Sequence, residues 1–170
     1  MILLFACYSQ VNSPIRVSSM SDKDINQEDF ATLSQFRFQL RRFVHWSEDL
    51  TRRARITNLQ YLLLLHIKGF PGREWATVGE LAERLVAKHH GTVALVTRCE
   101  KLGLVERRTG RTNGRIVEVH LTRKGSRLVT SLARQHRDEL LRLEGLFAVP
   151  GQAQLQRNDS DQLPDSRGQL

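Results

Sequence analysis

The sequence is poor in cysteine and has no long apolar run. Only Cys7 and Cys99 occur in 170 residues, which gives neither a disulfide framework nor the close pair typical of a zinc or redox motif. No stretch approaches the roughly 20 apolar residues that cross a bilayer. The apolar start, residues 1–7, lacks the basic leading segment of a signal peptide and is shorter than its usual apolar core. These absences predict a cytoplasmic protein without a membrane span.

Sequence signals of catalysis are also missing. There is no Gly-rich phosphate loop, no nucleophile elbow and no pair of carboxylates outside ordinary helix faces. We therefore expect no catalytic residue and no cofactor. The six histidines are not spaced as metal ligands, so no metal site is expected. A metal-responsive regulator stays open as an alternative, and zinc raising the DNA affinity of a chelator-stripped sample would favour it.

Positive charge, in contrast, is in excess. The chain has 26 Lys and Arg against 18 Asp and Glu, a net charge of +8, which favours a polyanionic partner. Nine of the basic residues lie between Arg98 and Arg127, together with only three glutamates. Most of the net charge is therefore carried by one short segment.

Composition and periodicity divide the chain into three parts. Residues 1–27 are expected to form a flexible leader, in which Met20 is an alternative start. Residues 28–148 are expected to form one regulatory domain with its own dimerisation helices. Residues 149–170 are too polar to bury enough surface to order themselves, and we predict a disordered tail.

Two long amphipathic helices are predicted at the ends of this domain. Apolar residues recur at every third or fourth position over residues 29–53 and again from residue 123 to about 146. The first stripe fits packing within its own domain as well as packing against a second subunit. We expect the second arrangement, a homodimer built through the N- and C-terminal helices, because a terminal helix this apolar needs cover.

Between these helices the pattern indicates a helix-turn-helix followed by a β-hairpin. Two capping boxes, Thr57 with Gln60 and Thr77 with Glu80, predict helices over residues 59–68 and 78–85. A further helix is predicted over residues 90–102, with Leu102 in its inward set, and Gly103 ends it. Strands are predicted over residues 104–109 and 116–121, joined by a loop with an Asn-Gly pair. The fold class is mainly α with a small β-hairpin wing, a winged helix-turn-helix.

This arrangement predicts double-stranded DNA as the partner. A recognition helix reads base edges with its N-terminal residues, which places His89, His90, Gly91 and Ala94 near bases and Arg98 near phosphate or guanine. Four arginines of the hairpin are expected along phosphates or in a narrow minor groove: Arg107, Arg108, Arg111 and Arg115. A dimer would read an inverted-repeat operator. A non-specific architectural nucleic-acid-binding protein is an alternative, because basic charge alone supplies non-specific affinity.

Three segments of the sequence carry a family resemblance: TVGELAERL at residues 77–85, GTVALVTRCEKLGLVERR at 91–108 and GRIVEVHLTRKG at 114–125. Together they resemble the multiple antibiotic resistance regulator (MarR) family over about residues 29–147. The resemblance implies an obligate dimer that represses transcription and is usually released by a small ligand or oxidant. Where the family commonly has Asp in the wing this chain has Asn113, which removes the acidic partner of a wing salt bridge.

The effector of such a regulator is not marked by any motif. Trp46, His45 and His66 are candidates for lining the crevice between the dimer helices and the DNA-binding lobe, although such residues more often pack in a core. Cys99 is expected to be buried packing rather than a redox switch, because a reactive thiol needs exposure and a lowered pKa.

Overall fold

The computed structural model describes residues 25–110 and 116–143. In these ranges five helices and three strands follow one another: α1 Gln27–Arg53, α2 Asn58–Lys68, β1 Trp75–Thr77, α3 Val78–Arg84, α4 His89–Lys101, β2 Val105–Thr109, β3 Val117–Leu121 and α5 Arg123–Arg142. The predicted fold class, mainly helical with a small β-hairpin, is confirmed. The predicted leader, tail and domain boundaries fall largely outside the described residues and stay predictions.

The chain divides into two units, residues 35–149 and residues 1–34 with 150–170. The described part of the second unit is residues 25–34, where α1 begins. There the Asn26 N–H donates to Asp29 Oδ2 (3.1 Å) and the Asp29 N–H donates to Asn26 Oδ1 (2.9 Å). This exchange satisfies backbone donors at the helix start.

Side-chain caps fix the starts of the inner helices. Thr57 Oγ1 accepts from the Gln60 N–H (3.2 Å), while Gln60 Oε1 accepts from the Thr57 N–H (2.8 Å). Thr77 and Glu80 make the same exchange at α3. Both predicted capping boxes are confirmed.

Three helices end in the same left-handed turn. The residue after the C-cap has a positive φ at Arg55 (59°), Val86 (49°) and Gly103 (68°). The next N–H then reaches a carbonyl five residues back, as Ala87 does to Ala82 (2.9 Å) after α3. Gly103 adopts this conformation at little steric cost. Val86 is β-branched and 91% exposed, so the turn between α3 and α4 has a strained backbone with no packing in return.

The strands form one antiparallel sheet in the order β1-β3-β2. The two predicted strands are confirmed within a residue at their ends, and Arg108 of β2 lies opposite Glu118 of β3. The short β1 was not predicted; Trp75 there pairs with His120 of β3. The loop between β2 and β3, residues 111–115, lies outside the described residues.

The core of residues 35–143 is centred on α2. Leu63, Leu64 and Ile67 are fully buried, as their nearly continuous apolar run predicts. Cys99 of α4 is also fully buried, as expected. The prediction that Leu102 faces inward was wrong: it is 42% exposed, because α4 ends at Lys101 and the chain turns there into Gly103.

Candidate nucleic-acid interface

Helix α4 has one buried face and one exposed face. Thr92, Leu95, Val96 and Cys99 are buried against the core. The residues on which the sequence analysis placed base and phosphate contacts are exposed on the opposite side: His89, His90, Gly91, Ala94 and Arg98. The structure therefore brings these five residues together on one helix.

The N-terminus of α4 offers free backbone donors. Lys88, the N-cap residue, makes no side-chain capping hydrogen bond, and the first turn contains no acidic residue. The first N–H groups of a helix have no partner within it and carry its positive partial charge. A Cβ added at Gly91 would meet nothing within 4 Å, so this end of the helix has an open surface.

Arg107 of β2 lies along the edge of α4. Its Nη1 forms an ion pair with Glu100. Its Nη2 donates to Thr97 Oγ1 (2.9 Å) and to the Val93 carbonyl (3.3 Å), and its backbone N–H donates to Glu100 Oε1 (3.2 Å). The guanidinium is thus engaged by the helix, unlike an arginine held out toward solvent.

The other predicted wing arginines differ from Arg107. Arg108 pairs with Glu106, two residues away on the same strand, and its side chain is 55% exposed. Arg111 and Arg115 lie outside the described residues. Glu118, the third carboxylate of this basic segment, pairs with His120 at 2.8 Å. Glu100 and Glu106 are therefore paired with arginines of the segment and Glu118 contacts its histidine, while Arg98, Lys101, Arg123 and Arg127 are exposed.

The start of α5 is joined directly to the backbone between α4 and β2. The Thr122 N–H donates to the Leu104 carbonyl (3.1 Å), Thr122 Oγ1 donates to the Gly103 carbonyl (2.7 Å), and Lys124 Nζ donates to the Leu102 carbonyl (2.8 Å). A Cβ at Gly125 would lie 2.0 Å from the Leu104 oxygen. The position of α5 is thereby tied to α4 and to strand β2.

A stack of rings and guanidinium groups supports the edge strand β1, and the sequence analysis missed it. The Arg73 guanidinium lies 3.8 Å from the Trp75 ring centre and 4.3 Å from that of Phe70, and it also pairs with Glu80. Burial raises the pKa of Glu80, but hydrogen bonds from Thr77 and Arg73 outweigh it and lower the pKa overall. The carboxylate that caps α3 is thus held ionised and anchored to the loop before β1.

The three candidate effector residues lie in different surroundings. His45 is on the exposed side of α1 with its Nε2 3.8 Å from Asp49. His66 is partly buried at the end of α2, where burial and the charge of Arg84 lower its pKa. Trp46 packs edge-on against His136 of α5 at 5.1 Å. The structure does not bring them together into one site.

His136 is the centre of a buried junction of α1, α2 and α5. It stacks on Tyr61 at 4.4 Å, its Nε2 is 2.8 Å from Ser47 Oγ, and its Nδ1 is 2.9 Å from the Leu132 carbonyl. Ser47 Oγ is also 3.0 Å from Asn58 Oδ1. Burial lowers the pKa of His136, an effect that the bond to Leu132 partly offsets, and raises the pKa of Tyr61 to about 12.

Residues 25–110 and 116–143 have neither a candidate metal site nor a candidate membrane span. These residues contain no group of three or more His, Cys, Asp and Glu side chains able to hold a metal ion. None of their helices is long and apolar enough to span a bilayer.

Comparison with known proteins relates this geometry to one family. Residues 49–116 match the sequence model of the MarR family. AbsC, a MarR family transcriptional regulator from Streptomyces coelicolor, superimposes with a TM-score of 0.63 at 18% identity, over 75% of this chain and 86% of AbsC. None of the curated proteins matches the chain.

Two other solved structures have the same fold. A MarR family transcription regulator is 26% identical, with a TM-score of 0.59 over 68% of this chain and 76% of its own. A mutant of MepR from Staphylococcus aureus bound to an oligodeoxyribonucleotide is 19% identical, with a TM-score of 0.54 over 68% of this chain and 82% of its own. The matched segment contains the helix-turn-helix and strand β2. Over residues 49–116 the chain thus matches the MarR family model, and it shares the fold of MarR family transcriptional regulators.

Proposed function

We propose that the chain is a sequence-specific, homodimeric repressor that binds an inverted-repeat operator and is released by a small molecule. The observation that carries the proposal is the exposed face of α4, whose N-terminus has no side-chain cap. His89, His90, Gly91 and Ala94 would meet base edges there, and Arg98 would meet phosphate or guanine. Arg108, Arg111 and Arg115 would contact phosphates from the wing.

The surface chemistry of α4 supports base readout. Gly91 and Ala94 have small side chains and are exposed, so the helix backbone can approach the floor of a major groove. The unpaired N–H groups at the helix start favour a phosphate oxygen. A MepR mutant with the same fold is bound to an oligodeoxyribonucleotide, and we infer the same class of partner for this chain.

Exposed apolar residues on the terminal helices support a dimer. Phe38 is 55% exposed on α1 and Leu141 is 61% exposed on α5, and both helices have further exposed apolar side chains: Phe30, Leu33, Val44 and Leu140. Covering a large apolar side chain contributes about 1.5–3 kcal/mol. A second copy would cover these faces and place two recognition helices about 34–36 Å apart, one turn of DNA.

A groove between α2 and α5 suits a small-molecule effector. It encloses about 260 Å³, and Leu65, Val129 and Ala133 contribute apolar lining while Lys68 and Arg134 contribute positive charge. This combination favours an apolar anion, which would release DNA only by binding more tightly to the free dimer. Benzoate is the simplest probe: it should weaken operator binding, whereas its uncharged methyl ester should not.

An oxidant acting on Cys99 is the less favoured signal. The thiol is fully buried, and burial raises its pKa to about 11 although Arg98 acts in the opposite direction. Since the thiolate is the reactive form, Cys99 would react slowly in the folded protein.

The test of the proposal is binding of the purified protein to its own upstream DNA and to a scrambled duplex, each titrated with salt. A specific regulator binds its site about a thousandfold or more tightly than other DNA. Equal affinities would contradict the proposal and leave a non-specific architectural binder. Sedimentation of the free protein tests the dimer separately, and a monomer at micromolar concentration would contradict that part.

A further inference from the structure

Arg107, on strand β2, makes hydrogen bonds to three residues along one side of helix α4. Its three partners on α4, Val93, Thr97 and Glu100, are spaced by four and three residues and therefore lie above one another on the helix. Thr97 Oγ1 in turn donates to the Val93 carbonyl at 3.0 Å. The guanidinium thus spans two turns of α4 from a fixed position on β2.

These contacts engage both Nη atoms of the guanidinium, so a phosphate would have to compete with α4 for them. Nη1 is paired with Glu100, and Nη2 donates to both Thr97 and Val93. The side chains of Arg107 and Glu100 are only 28% and 38% exposed. If Arg107 turned to a phosphate, Glu100 would be left without this partner beside DNA, where its charge is repelled.

We propose that Arg107 is a positioning residue, which sets the rotation of α4 relative to the wing and makes no phosphate contact itself. This inference rests on the proposed function as a sequence-specific DNA binder. A side chain about 6 Å from the helix axis moves by about 1 Å when the helix rotates by about 10°. Such a shift is enough to break a hydrogen bond to a base edge. Arg107 would therefore affect which sequence is bound more than how strongly DNA in general is bound.

The variant Glu100→Gln separates positioning from phosphate contact by the sign of its effect. If Arg107 contacts phosphate, losing the carboxylate frees the arginine and removes a repelled charge, so operator binding strengthens. If Arg107 positions α4, Glu100→Gln weakens operator binding by about tenfold, a size typical of coupled side chains. Affinity for the scrambled duplex would then stay the same or rise slightly.

Arg107→Lys keeps the charge but cannot reach three acceptors. We expect it to lower the ratio of operator affinity to scrambled-duplex affinity by about tenfold, with the salt dependence unchanged. Arg52→Lys is the matched control and should change that ratio by less than about twofold, because Arg52 lies on α1 outside the proposed interface, where its 71% exposed side chain pairs with Asp49 one turn away. The double variant Glu100→Gln with Arg107→Gln, which keeps the net charge, should lose no more specificity than either single change.

The experiment measures both duplexes with wild type and all variants over a range of salt concentration. Circular dichroism and thermal melting check the fold, and Glu100→Gln, at a partly exposed carboxylate, carries the test if an Arg107 variant does not fold. The salt slope is the steepness with which the logarithm of the binding constant falls with the logarithm of salt concentration. Loss of one phosphate contact would lower this slope by about 0.9. A lower slope in Arg107→Gln, or stronger operator binding by Glu100→Gln, would overturn the inference while leaving the proposed function intact. Wild type that does not distinguish the duplexes would overturn both.

Discussion

Gly125 tests how tightly α5 is joined to the wing. A methyl group placed there by Gly125→Ala would lie 2.0 Å from the Leu104 oxygen and 2.9 Å from the Leu104 carbonyl carbon. Both atoms are backbone, so no flexible side chain can move aside. The helix and the α4–β2 connection must separate by about 1 Å or more to reach an ordinary contact distance.

The magnitude follows from what this separation breaks. Forcing an extra methyl into a close-packed site costs about 1–3 kcal/mol. The hydrogen bond from the Thr122 N–H to the Leu104 carbonyl, 3.1 Å long, would be lost at about 1 kcal/mol. Replacing glycine within a helix returns up to about 1 kcal/mol. The free energy of unfolding should therefore fall by about 1–3 kcal/mol.

Urea unfolding at one fixed protein concentration measures this change, because a dimer's stability depends on concentration. Gly79→Ala is the control: its Cβ would find only Thr77 Oγ1, at 4.0 Å. That exposed position in α3 should gain up to about 1 kcal/mol from the better helix former. If Gly125→Ala were as stable as wild type, the close contact between α5 and Leu104 would not exist.

Four further changes test other parts of the structure. Val86→Gly should raise the free energy of unfolding by about 0.5–1 kcal/mol, because it relieves a left-handed backbone and loses no packing; a lower value in urea unfolding would contradict this. Gly91→Ala should stabilise the fold by up to about 1 kcal/mol and yet weaken operator binding in a mobility-shift titration, and unchanged binding would place Gly91 away from the DNA. His136 has a lowered pKa in the folded protein, which means that the fold favours its neutral ring. The contribution of this ring to the free energy of unfolding is therefore fully present above its ordinary pKa of 6.5 and is lost as pH falls through the folded value. The unfolding free energy of His136→Gln should accordingly depend less on pH between 7.5 and 5.5 than that of wild type, with the remaining slope including His66, and identical slopes would refute the argument. In a Cys7→Ser background, Cys99 should react with a thiol reagent only as the protein unfolds, and prompt reaction under native conditions would contradict its burial.

The parts of the fold that the sequence predicts are those fixed by interactions between residues only a few positions apart. Thr57 with Gln60 needs only three residues of separation to define a helix start, and Gly103 alone indicates a helix end. The strand β1 has three residues, and its backbone becomes a strand only by pairing with β3, over 40 residues later. No local pattern could indicate it.

The candidate site divides in the same way. The exposed face of α4 follows from helical periodicity, so His90, Ala94 and Arg98 could be placed on one side in advance. The partner of Arg107 could not be predicted, since Glu100 reaches it only after the left-handed turn at Gly103 brings β2 back along α4. From the sequence alone, Arg107 and Arg108 are equivalent neighbours in a basic run, yet they alternate in direction along β2 and acquire different partners.

The protonation state of His136 determines which groups donate and which accept in the hydrogen bonds at the junction of α1, α2 and α5. A carbonyl only accepts hydrogen bonds, so the Nδ1 that faces the Leu132 oxygen carries a hydrogen in every charge state of the ring. In the neutral ring, Nε2 must accept the single hydroxyl hydrogen of Ser47, and the Asn58 side chain must then turn its NH₂ group toward the serine oxygen. In the charged ring, Nε2 donates instead, Ser47 donates onward, and Asn58 presents its oxygen. One proton on His136 thus leaves the bond to Leu132 unchanged, reverses the two bonds that lead through Ser47 to Asn58, and turns over an amide at the first residue of α2.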